Sequence, residues 1–128
     1  MGSDGEPDQY VYIIMDEGLL DAPVLRALLD GNSRLLVNSV RPLECVLSRM
    51  PRHVAALVTV NAERVAAEGG SDAEIALLGG LVHAATGIDR DALSAAIWSQ
   101  ADRGFGYTAR AWARAFDRGT ALAQRAQR

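Results

Sequence analysis

Three polar residues stand where a chain of this kind could do chemistry: Asp16, Asn38 and Asn61 each follow a short apolar run. Open α/β sheets gather ligands beyond the C-terminal ends of their strands, so one carboxylate and two amides at three such ends would line a rim able to hydrogen-bond a small molecule. No glycine-rich phosphate loop accompanies them, because Gly69-Gly70 follows a helix where that loop would join a strand to a helix. A nucleotide site in this chain by itself is therefore not expected. His83, in a long apolar stretch, reads either as a ligand or proton carrier or as a hydrogen-bonded core residue. His53 lies in a predicted loop far from it in sequence, which argues against zinc. Cys45 is the only cysteine; this excludes an internal disulfide and any multi-cysteine metal site, and with no base nearby it reads as a small buried hydrophobe. Ser39, Ser48 and Ser94 belong to no G-x-S-x-G turn, so nucleophilic catalysis has no support.

Composition removes further classes. All 13 basic residues are arginine, leaving no lysine for a Schiff base or a phosphate loop. Net charge is −3, with Asp4, Glu6, Asp8, Asp16, Glu17 and Asp21 near the start and Arg110, Arg114, Arg118, Arg125 and Arg128 at the end. With aromatic content at 5%, the platforms of a nucleic-acid surface are missing. No apolar run approaches the roughly 18 residues of a membrane span, and the opening MGSDGEPDQ is acidic where a leader would be basic and then apolar. The expectation is a soluble, cytoplasmic protein with neither nucleic-acid nor membrane partners. At 128 residues the chain reads as one domain over 1–128, with residues 1–9 and the last few disordered.

The elements that position the rim follow from hydrophobic patterning. Tyr10–Met15 is a nearly continuous apolar run suited to a strand covered on both faces, stopped by Asp16, Glu17 and Gly18. A helix over 19–29 then places Leu25, Leu28 and Leu29 on one face. A very short strand over 35–38 leads to a helix opening at Pro42, with Val46, Leu47 and Met50 inward. A third strand over 54–60 ends at Asn61, a good N-cap for a helix over 62–68. Alternating strands and helices with short connectors predict a parallel sheet with right-handed crossovers. The fold class is thus α/β: a small three-layer, Rossmann-like half with about three parallel strands and two open edges. From Asp72 onward an all-helical segment is expected, over 72–86 with a cap at Ser71 or Asp72, over 90–101, and from Thr108 to about Arg125.

Two of these helices carry surfaces that ask for cover. The helix over 72–86 is apolar on nearly every face, and mid-helix Gly79 and Gly80 cost about 1 kcal/mol each against alanine unless another backbone comes close. The approach is either internal packing or a subunit interface, of which Gly79, Gly80 and His83 are the candidates. In the last helix Arg110, Arg114 and Arg118 recur every four residues opposite Trp112, Ala115, Phe116 and Gly119. That face is either a solvated side or a dock for an acidic partner.

The ordered series resembles the gamma-type component of 2-oxoacid:acceptor oxidoreductases, in its C-terminal portion. The matching features are a strand ending in Asp (Ile14 to Asp16), a strand ending in Asn (Leu35 to Asn38) and a strand leading into a short helix (Val58 to Glu68). The Leu78-Gly79-Gly80-Leu81 helix closed by Thr86-Gly87 is similar to the family's Leu-Gly-Ala-Leu helix. Leu93 and Ile97, and Phe116 to Gly119, complete the series. The family's N-terminal strand and glycine-rich turn have no counterpart, and Glu74 stands where the family commonly has asparagine. The resemblance implies oxidative decarboxylation of a 2-oxoacid in a complete enzyme, with thiamine diphosphate and iron–sulfur clusters held by other subunits and none bound by this chain alone. The expectation is an accessory subunit contributing to assembly or shape, with oxidoreductase subunits as partners. The alternatives are a homodimeric interaction module without enzyme activity, and a small-molecule binder at the Asp16, Asn38 and Asn61 rim.

Overall fold

Three parallel strands form the centre: β1 (Tyr10–Ile14), β2 (Ser33–Asn38) and β3 (Ala56–Val60). In this computed structural model, residues 10–50, 54–69, 73–85, 87–102 and 106–127 are described. The expectations for residues 1–9, for His53 and for a cap at Ser71 or Asp72 fall outside these. Val- and Leu-rich β2 and β3 are buried along almost their whole length, with Leu35, Leu36, Val37 and Val58 inaccessible to solvent. Alternation along the strands sends Leu35, Val37 and Leu57 to one face and Leu36, Val58 and Val60 to the other.

On the first face lie α1 (Pro23–Leu28) and α2 (Leu43–Leu47), closing over Leu20, Leu25, Leu29, Val46 and Met50. The single helix expected over 19–29 is two pieces, a 3-10 turn at Glu17–Asp21 followed by α1. Pro23 is the cause: it disfavours helical backbone at Ala22, which is extended at φ −68°, ψ 129°. The break also rotates Leu28 outward to 54% exposure, while Leu25 and Leu29 stay buried. Cys45 is exposed, against the expectation of burial. The five-residue α2 turns only Val46 fully inward.

On the second face lie α3 (Ala62–Gly69), α4 (Ala73–Ala84) and α6 (Gly106–Leu122), with α5 (Arg90–Asp102) against α6. α4 is the middle of this layer, and its two glycines look in different directions. A side chain at Gly80 would meet Val60 Cγ2 at 2.6 Å and Leu36 Cδ1 at 2.7 Å, so this glycine seats α4 on the sheet. A side chain at Gly79 would meet backbone atoms of Phe116, Gly119 and Thr120, and one at Gly119 would meet the backbone of Ala76. The α4–α6 crossing is therefore a contact of backbone on backbone, its close approach open only to residues without a Cβ. Thr120 Oγ1 donates across it, lying 2.9 Å from Gly79 O and 3.0 Å from Phe116 O.

The C-terminus departs from the all-helical expectation and from the expected disorder of the last residues. After Leu122 the chain turns into β4 (Gln124–Gln127), antiparallel to β3 with Val58 opposite Arg125. The sheet order is β1-β2-β3-β4, so one of the two expected open edges is covered from within. β1 is the other. It is not covered on both faces as expected: Tyr10, Ile13 and Met15 are exposed, and among the described residues no strand lies beyond it.

Candidate functional site at the strand ends

The topology brings Asp16, Asn38 and Asn61 to one rim, as their places after three parallel strands require, and gives each a local task. Asp16 Oδ1 accepts from Gly18 N at 2.9 Å and caps the 3-10 turn. Asn61 Oδ1 accepts from Arg64 N at 3.1 Å and caps α3. Asn38, only 7% exposed, joins all three strand ends. Its amide donates to Met15 O (3.2 Å) and Glu63 Oε1 (3.1 Å), and its Oδ1 accepts from Ala62 N (3.1 Å).

Beside this bridge runs an ionic lattice that sequence reasoning missed. Glu17 Oε1 accepts from Ser39 Oγ at 2.9 Å, and Arg49 donates to Glu17 Oε2, Glu17 O and Asp21 Oδ2 at 3.3, 3.2 and 2.7 Å. Arg26 closes it by donating to Arg49 O at 2.8 Å. The lattice ties the 3-10 turn to the end of α2. Its members lie up to 32 positions apart, and no periodicity links them.

Val40 divides the rim into two open pockets of opposite character. One, about 330 Å³, has Met15, Asp16, Glu17, Asn38 and Glu63 around it; the other, about 270 Å³, has Ser39, Arg41, Thr59, Asn61 and Arg64. Arg41 and Arg64 of the second lie in the segments that follow β2 and β3, past the strand-end positions that mark a rim in sequence. Arg41 stands three positions beyond Asn38, and Arg64 three beyond Asn61.

The remaining candidates lie elsewhere. His83 is at the opposite end of the sheet, since the carbonyl of the next residue, Ala84, accepts from Arg34 at the start of β2. Its Nε2–H donates to Thr120 O at 2.9 Å, so within this chain it fastens α4 to α6. Gly79 and Gly80 serve the internal contacts described above. Arg110, Arg114 and Arg118 are exposed along one side of α6, opposite buried Ala115, Phe116 and Gly119. Arg118 is 3.5 Å from Glu68 Oε1 on α3, whereas Arg110 and Arg114 have no acidic partner among the described residues. No group of three or more His, Cys, Asp and Glu side chains gathers for a metal among the described residues, and no helix there is long and apolar enough to cross a membrane.

Three parallel strands, crossover helices on one face and a glycine-seated helix pair on the other define a Rossmann-like α/β unit in which Asp16, Asn38 and Asn61 are engaged in capping and bridging. Among solved structures it is similar to subunit PORC of pyruvate oxidoreductase from Thermotoga maritima, with a TM-score of 0.73 and 23% identity. The match covers 91% of this chain and 65% of that one, so the chain spans about two thirds of the length of the structure it resembles. At this identity the likeness establishes a shared fold. No protein-family model and no curated protein matches the chain.

Proposed function

We propose that this chain is an accessory, gamma-like subunit of a thiamine-diphosphate-dependent 2-oxoacid oxidoreductase, contributing to assembly or shape and not to the chemical step. The observation that carries this reading is the fold shared with an oxidoreductase subunit over 91% of the chain. The β1 edge, beside which no strand lies among the described residues, supports it. Natural sheets guard such edges with charges, prolines or bulges, yet Tyr10–Met15 contains no charge and no proline. Exposed Ile13 and Met15 flank the edge toward Leu77 and Leu78 of α4, and exposed Leu19, Val24 and Leu28 flank it on the other face. In this reading a partner subunit covers that edge.

Thiamine diphosphate and iron–sulfur clusters would belong to those partners. The donor set here does not fit a cluster: the chain's single cysteine is exposed, and cluster ligation takes several thiolates. Co-expression with thiamine-binding oxidoreductase subunits is the test. Copurification that Ile13→Lys abolishes is the expected result; no association and no effect on their activity would refute the reading.

The same bare edge favours a second reading, a homodimeric interaction module without enzyme activity, in which two β1 strands pair antiparallel about a two-fold axis. A solution mass of twice the monomer, with no affinity for oxidoreductase subunits, would select it.

A further inference from the structure

The second rim pocket holds hydrogen-bond donors that the fold itself does not use. Arg41 makes no side-chain hydrogen bond or ion pair among the described residues, and Arg64 has only a long contact, 3.7 Å, to Glu68 of its own helix. The Asn61 cap consumes its oxygen, leaving the amide NH2 unbonded among the described residues. Thr59, 3% exposed, lines the same pocket and makes no side-chain hydrogen bond there. No carboxylate lines this pocket, in contrast to its neighbour across Val40 with Asp16, Glu17 and Glu63.

Two guanidinium groups, an amide and a hydroxyl thus surround a space of about 270 Å³ at the C-terminal ends of β2 and β3, where open α/β sheets place ligands. Apolar Val40, Pro42 and Leu122 complete the lining. Gln124 shares it and fastens it, its Oε1 accepting from Leu43 N at 3.0 Å, so β4 closes the pocket on one side. Guanidinium groups match oxyanions through paired N–H donors, and with no carboxylate in the lining the one competitor among the described residues is Glu68, 3.7 Å from Arg64.

We infer that this pocket binds the oxyanion group, carboxylate or phosphate, of a small ligand whose apolar part rests on Val40, Pro42 and Leu122. The inference goes beyond the subunit reading and does not depend on it, because binding is a property of this chain alone.

The experiment is a titration of the isotope-labelled full chain, followed by amide chemical shifts, with inorganic phosphate and separately with acetate at constant ionic strength. Saturable shifts centred on Ser39, Arg41, Thr59 and Asn61 are expected. Saturation by phosphate alone assigns a phosphate group, by acetate alone a carboxylate, and by both a general oxyanion site. Arg41→Ala and Arg64→Ala should each weaken binding about tenfold or more, the scale of a charge-assisted hydrogen bond. Arg110→Ala on α6 should leave it unchanged. Both arginines of the pocket are exposed, so their removal leaves the core intact, which the dispersion of the same spectra verifies. Absence of saturable shifts with both anions, or equal affinity in the double variant, would overturn the inference.

Discussion

Gly79→Ala puts a single methyl group where α4 and α6 touch, and the structure sets both the sign and the size of the effect. In an open helix the change is favourable by roughly 0.5–1 kcal/mol, since alanine restricts the unfolded backbone and has the higher helix propensity. At Gly79 the new Cβ would fall 2.7 Å from Thr120 N and 3.0 Å from Gly119 C, and closer still to the Phe116 carbonyl oxygen. These are backbone atoms, so no rotamer relieves the clash and α6 itself must move. Overpacking of a close-packed core costs about 1–3 kcal/mol, and the upper part of that range applies where backbone is displaced. The net expectation is a loss of about 1–2 kcal/mol, a fall in Tm of roughly 4–8 °C for a chain of this size.

Equilibrium urea unfolding of a glycine series isolates the cause. Gly69→Ala, with nothing within 4 Å of its Cβ, should match wild type or exceed it by up to about 1 kcal/mol. Gly87→Ala also has open space but a φ of +80°, and should lose about 1–2 kcal/mol through backbone strain alone. Gly119→Ala should fall at least as far as Gly79→Ala, its Cβ aimed at the backbone of Ala76. The double variant should lose less than the sum of the singles, by about 0.5 kcal/mol or more, because one displacement of α6 relieves both clashes. A Gly79→Ala protein as stable as wild type beside a stabilised Gly69→Ala would refute the backbone contact.

Three further outcomes follow from the same structure. Asn38→Ala strands the Ala62 N–H and removes the clasp on three strand ends; urea unfolding should show a loss of about 2–3 kcal/mol. Truncation after Ala123 removes β4 and bares the edge of β3, so light scattering should report concentration-dependent association beyond that of the full chain. Ile13→Lys places a charge on the β1 edge at a site 45% exposed; it should hold stability within about 0.5 kcal/mol while abolishing copurification with an oxidoreductase partner.

The parallel core was legible because it obeys short-range rules: apolar runs between turn signals locate β1, β2 and β3, and Asn61 announces α3. Gly79 and Gly80 were legible as points of close approach, yet their sequence could not say whose backbone approaches, which is a tertiary fact. β4 was illegible for a physical reason. Gln124, Arg125 and Gln127 lack the alternation and β-branching of a strand former, and the preceding arginine spacing runs helical into them. Ladder hydrogen bonds offered by β3 override that weak local preference. Pro23, by contrast, was a visible helix breaker whose force at Ala22 was underweighted. At the rim, residue type and position predicted which groups meet and that Asn61 caps α3, but not that Asn38 would bridge all three strand ends.

β4 changes what the exposed surfaces mean. Three parallel strands alone would leave two edges of equal claim, and a partner could take either. The chain covers β3 with a polar strand of its own, in which Arg125 is exposed, a charge of the kind that discourages further pairing. Among the described residues it leaves β1 without a neighbouring strand on its outer side, apolar on both flanks and without a charge. Had the apolar α4 been the uncovered element, its glycines would face solvent; instead they face α6 and the sheet. In the proposed reading the partner surface therefore moves from the glycine helix, which the chain covers internally, to the β1 edge. A complex that instead buried the arginine side of α6 and left β1 in solvent would require another account of why Tyr10–Met15 carries neither a charge nor a proline.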